Sequence, residues 1–227
     1  MKPEELTPPF PRDDQRIVIH DRVWYIPERT RYPDEFAFPG WNHIDLFGNE
    51  NPVIIEYCSG NGAWIASKAA ANPNINWVAV ELKFDRVRKV WSKIKNLGLN
   101  NLIVIYGEAH VTTRQYFQKD SISDVYINFP DPWPKKRHAK NRLIQPEFAT
   151  ELSRILKEGK SLTFVTDDVP YSEWLVEVMG SHKDFVSRYP EPFYLTEEPN
   201  YGTSYFDELW RSKGRTIRYH CFQRCKD

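Results

Sequence analysis

From residue 52 onward, short apolar runs alternate with stretches of helical spacing, and this alternation constrains the fold more than any other feature of the chain. Residues 52–57 (PVIIEY) form an apolar run between a proline and a glycine turn, which predicts a buried strand. The following GAWIASKAAA has helical spacing and stops at Asn72-Pro73. Residues 77–82 (WVAVEL) predict a second strand. The segment 84–98 predicts an amphipathic helix with Val87, Val90, Trp91 and Ile94 on one face, ended by Gly98. Further strands are expected at 102–107, 124–129 and 161–166, with helices near 111–119, 145–158 and 170–180, and two last strands around 185–195 and 215–223. Strands that alternate with helices imply an α/β fold with a parallel sheet covered on both faces.

In such sheets, ligands lie beyond the carboxyl ends of the strands. That rule selects Glu56 to Gly62, Glu81, Glu108, Asn128 to Asp131 and Asp167. Gly60 and Gly62 let the first strand–helix turn fold tightly and approach a ligand that a Cβ would exclude. Glu81 lies 21 residues after Gly60, where an acid can accept both hydroxyls of a ribose. A lone strand-end acid is as readily a cap for neighbouring amides. Four acids at successive strand ends (Glu56, Glu81, Glu108, Asp131) point instead to a ligand site, and their charge suits a cationic ligand better than a pyrophosphate.

The fourth strand runs into Asn128-Phe-Pro-Asp131-Pro-Trp133-Pro134. Three prolines stiffen this loop and hold Asp131 without help from regular structure. Lys135, Lys136, Arg137, Lys140 and Arg142 follow, five permanent cations within eight residues. The chain as a whole is neutral, with 31 basic and 31 acidic side chains, so a uniformly basic nucleic-acid coat is excluded and only a local patch is available. A charge run is commonly a solvated face. Beside a strand-end carboxylate, contact with an RNA backbone is the better reading.

The remaining features are bland. Cys58, Cys221 and Cys225 form no CxxC pair and suggest neither a structural disulfide nor zinc, which fits a reducing compartment. No signal peptide or run of membrane-spanning length is evident. Most of the eight tryptophans are expected in the core. Residues 1–40, with Pro3, Pro8, Pro9 and Pro11, are expected to be a mobile extension carrying one short strand at 16–20, and residues 41–227 to form the main domain.

The run 128–142, NFPDPWPKKRHAKNR, followed by Leu143 and Pro146-Glu-Phe148, closely resembles the signature of bacterial tRNA (guanine-N7-)-methyltransferases. The similarity extends from about Trp41 to the C-terminus. It includes Phe47-Gly-Asn49, Asn51-Pro52, Asn72-Pro73, Thr166-Asp167 and Ser204-Tyr-Phe206-Asp207, the last resembling a Thr-x-Phe/Tyr-Glu motif. The resemblance implies a Rossmann-like class I methyltransferase fold with a mostly parallel seven-stranded sheet flanked by helices. It implies S-adenosylmethionine as cofactor, held by Glu56, Gly60, Gly62, Glu81, Glu108 and Asp131, and tRNA as partner. Asp131 is the expected catalytic residue. Lys135, Asp167, Ser204 and Asp207 are expected as substrate contacts, the target being a guanine in the tRNA variable region, and Lys136, Arg137, Lys140 and Arg142 as contacts to the RNA backbone. A cytoplasmic monomer or homodimer without membrane contact is expected. This sequence has Cys58 where the family usually has glycine, Glu108 for aspartate, and Ser204 and Asp207 for threonine and glutamate. An inactive RNA-binding module, a methyltransferase for protein or small molecules, and a nicotinamide oxidoreductase stand as alternatives.

Overall fold

The computed structural model describes residues 1–9, 16–27 and 36–225, with the side chain of Lys136 excepted; Pro11 of the proline-rich start lies outside them. The chain forms two compact units, Met1–Phe117 and Gln118–Asp227.

The first unit is built on five strands: β1 (Val18–His20), β2 (Val23–Tyr25), β3 (Val53–Tyr57), β4 (Asn76–Glu81) and β5 (Leu102–Tyr106). β3, β4, β5 and β2 pair in parallel in that order, and β1 closes the edge as an antiparallel hairpin with β2. Every residue of β3 and β4 is buried. Successive strand residues point to opposite faces, so both faces of these strands are covered. The cover comes in part from α1 (Ala63–Ala71) and α2 (Phe84–Leu97), which pack on each other and on β4. On α2 the expected stripe of Val87, Val90, Trp91 and Ile94 is buried, each contributing about 1.5–3 kcal/mol. Gly98, left-handed at φ 63°, ends the helix, and the Leu99 amide closes back on the Ile94 carbonyl at 3.0 Å. The weak helical segment is α3 (Ala109–Tyr116), which starts earlier than expected because Glu108 caps it, and ends at Tyr116.

Part of the segment expected as a mobile extension is built into this unit. Val23, Trp24 and Tyr25 are buried in β2, and Trp24 stacks on Phe38 with ring centroids 5.1 Å apart and meets Trp41 edge-on at 6.3 Å. Five of the eight tryptophans (24, 41, 64, 77 and 91) are buried, so large aromatic cores dominate their use.

The second unit has four strands: β6 (Ile122–Asn128), β7 (Leu156–Thr166), β8 (Phe185–Ser187) and β9 (Arg218–Arg224). β6 and β7 are parallel; β9 lies antiparallel between β7 and β8. The helices are α4 (Pro146–Ile155), α5 (Val169–Gly180) and α6 (Tyr205–Ser212). Two boundaries differ from the periodicity. Helix α4 stops at Ile155 and the chain enters β7 at once, because left-handed Gly159 (φ 72°) and the register shift opposite Ile122/Asp124 let the polar stretch 157–160 continue a strand. β8 ends at Ser187, since Pro190 and Pro192 cannot donate to a ladder. The described residues hold nine strands: seven answer to the sheet expected, β1 to the short strand expected at 16–20, and β2 alone was not foreseen.

Candidate functional site

In the first unit, the turn after β3 is shaped by three left-handed residues: Cys58 (φ 60°), Gly60 (φ 56°) and Gly62 (φ 70°). Glycine takes this conformation freely, whereas Cys58 holds it at a cost of about 1–2 kcal/mol. The backbone path that a glycine favours is therefore kept despite the cysteine, and the Cys58 amide bonds to the Val80 carbonyl at 3.1 Å. Gly62 is required for packing: a Cβ there would lie 2.7 Å from Cγ2 of Val90 on α2.

Glu81, at the end of β4, is 5 % exposed. Its Oε2 accepts the Gly60 amide at 3.0 Å and its Oε1 accepts the Lys83 amide at 3.1 Å, with Arg86 at 3.8 Å. The acid and the glycine turn predicted together are thus brought together. A carboxylate has about four lone-pair positions, so two remain for a ribose diol. Glu56 is buried at the end of β3, and its carbonyl accepts the Ser59 hydroxyl at 2.9 Å. Glu108 does what the bland reading of a strand-end acid foresees: it is half-buried and its Oε2 caps α3 through the Val111 amide at 2.7 Å. Buried acceptor-only carboxylates beside a glycine turn fit the hydroxyls and cationic groups of S-adenosylmethionine.

In the second unit, β6 leads into the proline-rich loop. Asn128 is buried, while Asp131 is exposed beyond the strand end. Phe129 (φ 48°) and Trp133 (φ 46°) are left-handed, so the loop between them is bent by side-chain-bearing residues and not by glycine. Lys135, Arg137 and Lys140 are exposed on the loop and the 3-10 turn Lys136–Asn141. Arg142 is different. It is 8 % exposed, donates through Nε to the Pro132 carbonyl at 3.0 Å and through Nη1 to the Pro170 carbonyl at 3.3 Å, and lies over the Tyr171 ring at 5.0 Å. The expected phosphate contact is instead an internal brace of the loop.

Asp167 follows β7 with its side chain 11 % exposed, and its Oδ2 is ion-paired with Arg215. Ser204 caps α6, its hydroxyl accepting the Asp207 amide at 3.2 Å. Asp207 is buried; it accepts Arg211 Nε at 2.6 Å and the Tyr219 hydroxyl. Burial, with this bond to Asp207, pushes Tyr219 up to about 12. The two residues expected on the substrate therefore use these groups to start and anchor a helix that the hydrophobic pattern did not reveal. Its signature, Ser-x-x-Asp, was legible as a capping motif. Phe206 of α6 packs against Phe129 at 6.0 Å, docking the helix on the base of the proline-rich loop. Arg215 and Tyr219 escaped the sequence reading, since no local pattern links them to partners 48 and 12 residues away, and Arg211, an i,i+4 partner of Asp207, because helix α6 itself was not foreseen.

A methyltransferase family matches residues 50–219. A tRNA (guanine-N(7)-)-methyltransferase of Chlamydia abortus is 43% identical over 219 residues, covering 96% of each chain. One of Streptomyces avermitilis is 34% identical over 180 residues, covering 79% of this chain and 62% of its own. Among solved structures, a SAM-dependent methyltransferase from Aquifex aeolicus superposes with a TM-score of 0.55 at 10% identity, covering 78% of this chain and 84% of its own. At that identity the likeness speaks for the fold alone. Fold and strand-end site together define a class I S-adenosylmethionine-dependent methyltransferase. The chain belongs to the tRNA (guanine-N7-)-methyltransferase family.

Proposed function

We propose that this protein transfers a methyl group to N7 of a guanine in the variable region of tRNA, acting in the cytoplasm as a monomer or homodimer. The observation that carries this reading is the braced loop after β6, which offers exposed Asp131 and then exposed Lys135, Arg137 and Lys140. Family membership over nearly the whole chain supports the choice of base and atom. No helix among the described residues is long and apolar enough to cross a membrane.

S-adenosylmethionine, when bound, supplies the methyl group on a sulfonium. Glu81 accepts ribose hydroxyls while its remaining lone pairs hold the glycine turn. Glu56 would offer a buried carboxylate to the cofactor's cationic end, and Glu108, which fixes the start of α3, would hold its adenine. Guanine N7 has a free lone pair at neutral pH, so no general base is required. Proximity and orientation supply the main effect, about 7–11 kcal/mol in favourable cases. As the base gains positive charge, a fixed Asp131 carboxylate stabilises it. Asp167 accepts from the donors on guanine's other edge. Lys135, Arg137 and Lys140, with Lys136, neutralise phosphates. Ser204 and Asp207 act by presenting α6 against the loop, and Arg142 by holding the loop's shape. Withdrawing a base from structured tRNA costs a few kcal/mol, which the cationic loop offsets.

The direct test is incubation with unmodified tRNA transcript and methyl-labelled cofactor, followed by mapping of the labelled nucleotide. Label at guanine N7 in the variable region is expected. Label elsewhere, or none, sinks the reading.

A further inference from the structure

Asp167 is not held by its own strand end but by a second segment of the chain. Helix α6 ends at Ser212, and left-handed Gly214 (φ 73°) reverses the backbone so that the Arg215 amide donates to the Trp210 carbonyl at 2.9 Å. This turn lays the Arg215 guanidinium over the Trp210 ring at 4.2 Å, with Lys213 on the same ring at 4.8 Å. From there Nη1 of Arg215 reaches Oδ2 of Asp167. Arg218, stacked on Tyr194 at 5.5 Å, adds a long contact to the Asp167 carbonyl at 3.5 Å. Arg215 is thus fixed at three points: its amide, its stacked plane and its ion pair.

A surface ion pair between two mobile side chains contributes little, because holding both in one geometry costs entropy. Here the arginine is already ordered by the turn and the indole, so that cost is reduced. The Asp167 side chain is nearly buried. Pairing through Oδ2 leaves Oδ1 as an acceptor directed by the same bond. A guanine presents an N1–H and an exocyclic amine, two donors that require a carboxylate of fixed orientation.

We propose that Arg215 is a positioning residue that orients the Asp167 carboxylate for the substrate guanine, with Trp210 as its platform. This rests on the reading of Asp167 as a guanine contact. It separates Arg215 from the cations of the loop after β6: its role is to set geometry, not to neutralise a phosphate.

The test uses the full chain and unmodified tRNA transcript, with Arg215→Ala, Arg215→Lys, Asp167→Ala and the Asp167→Ala/Arg215→Ala double variant. Melting curves confirm folding, which the exposed position of Arg215 favours. Arg215→Ala is expected to lower kcat by about 10- to 100-fold, with tRNA affinity and its salt dependence unchanged. Arg215→Lys should recover part of that loss, since it keeps the charge but not the stacked fork. The double variant should be no slower than Asp167→Ala. A weaker, less salt-dependent affinity with unchanged kcat would make Arg215 a phosphate contact and overturn the proposal. Additive losses in the double variant would overturn it as well. If Asp167→Ala alone keeps full activity, the guanine role of Asp167 falls and the proposal with it. If Asp167→Ala is impaired and Arg215→Ala is not, only the positioning role fails.

Discussion

The guanidinium of Arg142 donates to the carbonyl of Pro132, ten residues back, and so ties the end of the basic run to the loop that carries Asp131. The Pro132 carbonyl lies in the loop, outside helix and strand, and a buried charged donor satisfies it. Removing the arginine takes this donor from the Pro132 carbonyl, at about 1–3 kcal/mol. Arg142→Ala should therefore lower the melting temperature and also reduce methyl transfer. If the variant loses only tRNA affinity while stability holds, Arg142 is a phosphate contact after all.

The exposed cations of the same run should behave oppositely. Lys135→Ala, Arg137→Ala and Lys140→Ala are expected to leave the unfolding free energy within about 0.5 kcal/mol of the parent, as surface changes do. Each should weaken tRNA binding and reduce the slope of log affinity against log salt by about 1. Filter-binding titrations at several salt concentrations read both effects. An unaltered slope in all three would remove this loop from the RNA interface.

Glu81 is bound to the Gly60 amide, so its loss acts on the ligand and on the turn together. Glu81→Gln keeps size but turns one acceptor into a donor facing an amide. Cofactor affinity measured by calorimetry should fall at least about 10-fold, in line with the 1.5–3 kcal/mol of a hydrogen bond to a charged group. Glu108→Gln keeps a carbonyl to cap α3 and should weaken binding much less. Equal losses in both would argue against Glu81 as the ribose acceptor.

Two left-handed glycines separate close packing from backbone strain. A Cβ at Gly62 meets Val90 at 2.7 Å, whereas one at Gly214 meets nothing within 4 Å. Gly214→Ala should cost about 1–2 kcal/mol for the left-handed conformation alone. Gly62→Ala adds an overpacking cost of about 1–3 kcal/mol and pushes α2 from the cofactor turn. Urea unfolding of both variants should show Gly62→Ala as the more destabilised; the reverse order would mean that α2 yields freely.

His220 makes stability depend on pH. The ring is buried in β9, with Nδ1 donating to the Phe193 carbonyl at 2.9 Å and Nε2 therefore accepting the Ser172 hydroxyl at 2.9 Å. Burial pushes it down to about 4 from the ordinary 6.5, so the folded chain keeps it neutral where the unfolded chain is protonated. Its contribution is complete above pH 6.5 and is lost as pH falls from there toward 4, by up to about 3 kcal/mol. Urea midpoints between pH 7 and 5 should fall, and His220→Asn should flatten that slope. A slope identical in the variant would assign the effect to other groups.

Much of the architecture was legible in the residues because strands and helices write their burial into local periodicity. The apolar runs at 53–57, 76–81 and 102–106, the stripe on α2 and the glycine turn at 60–62 needed no partner to be read. The proline-rich loop and its exposed cations were likewise local, as was the family resemblance they carry. Residues 23–25 were missed because three residues are too few to show a period; only pairing with β5 makes them a strand. Helix α6 was missed because it presents a single buried residue, Asp207, and its start is a cap and not an apolar stripe.

What the tertiary structure alone decided is which charges face solvent and which are consumed inside. Lys140 and Arg142 lie two residues apart in one basic run, yet one is exposed and the other is buried against two proline carbonyls. Asp167 and Asp207 both read as carboxylates for a substrate, yet Arg215 holds the first and Tyr219 the second through contacts formed only when β7, α6 and β9 come together. A side chain's type sets what bonds it can make. Its burial and the partners brought to it across the fold set which of them it does make.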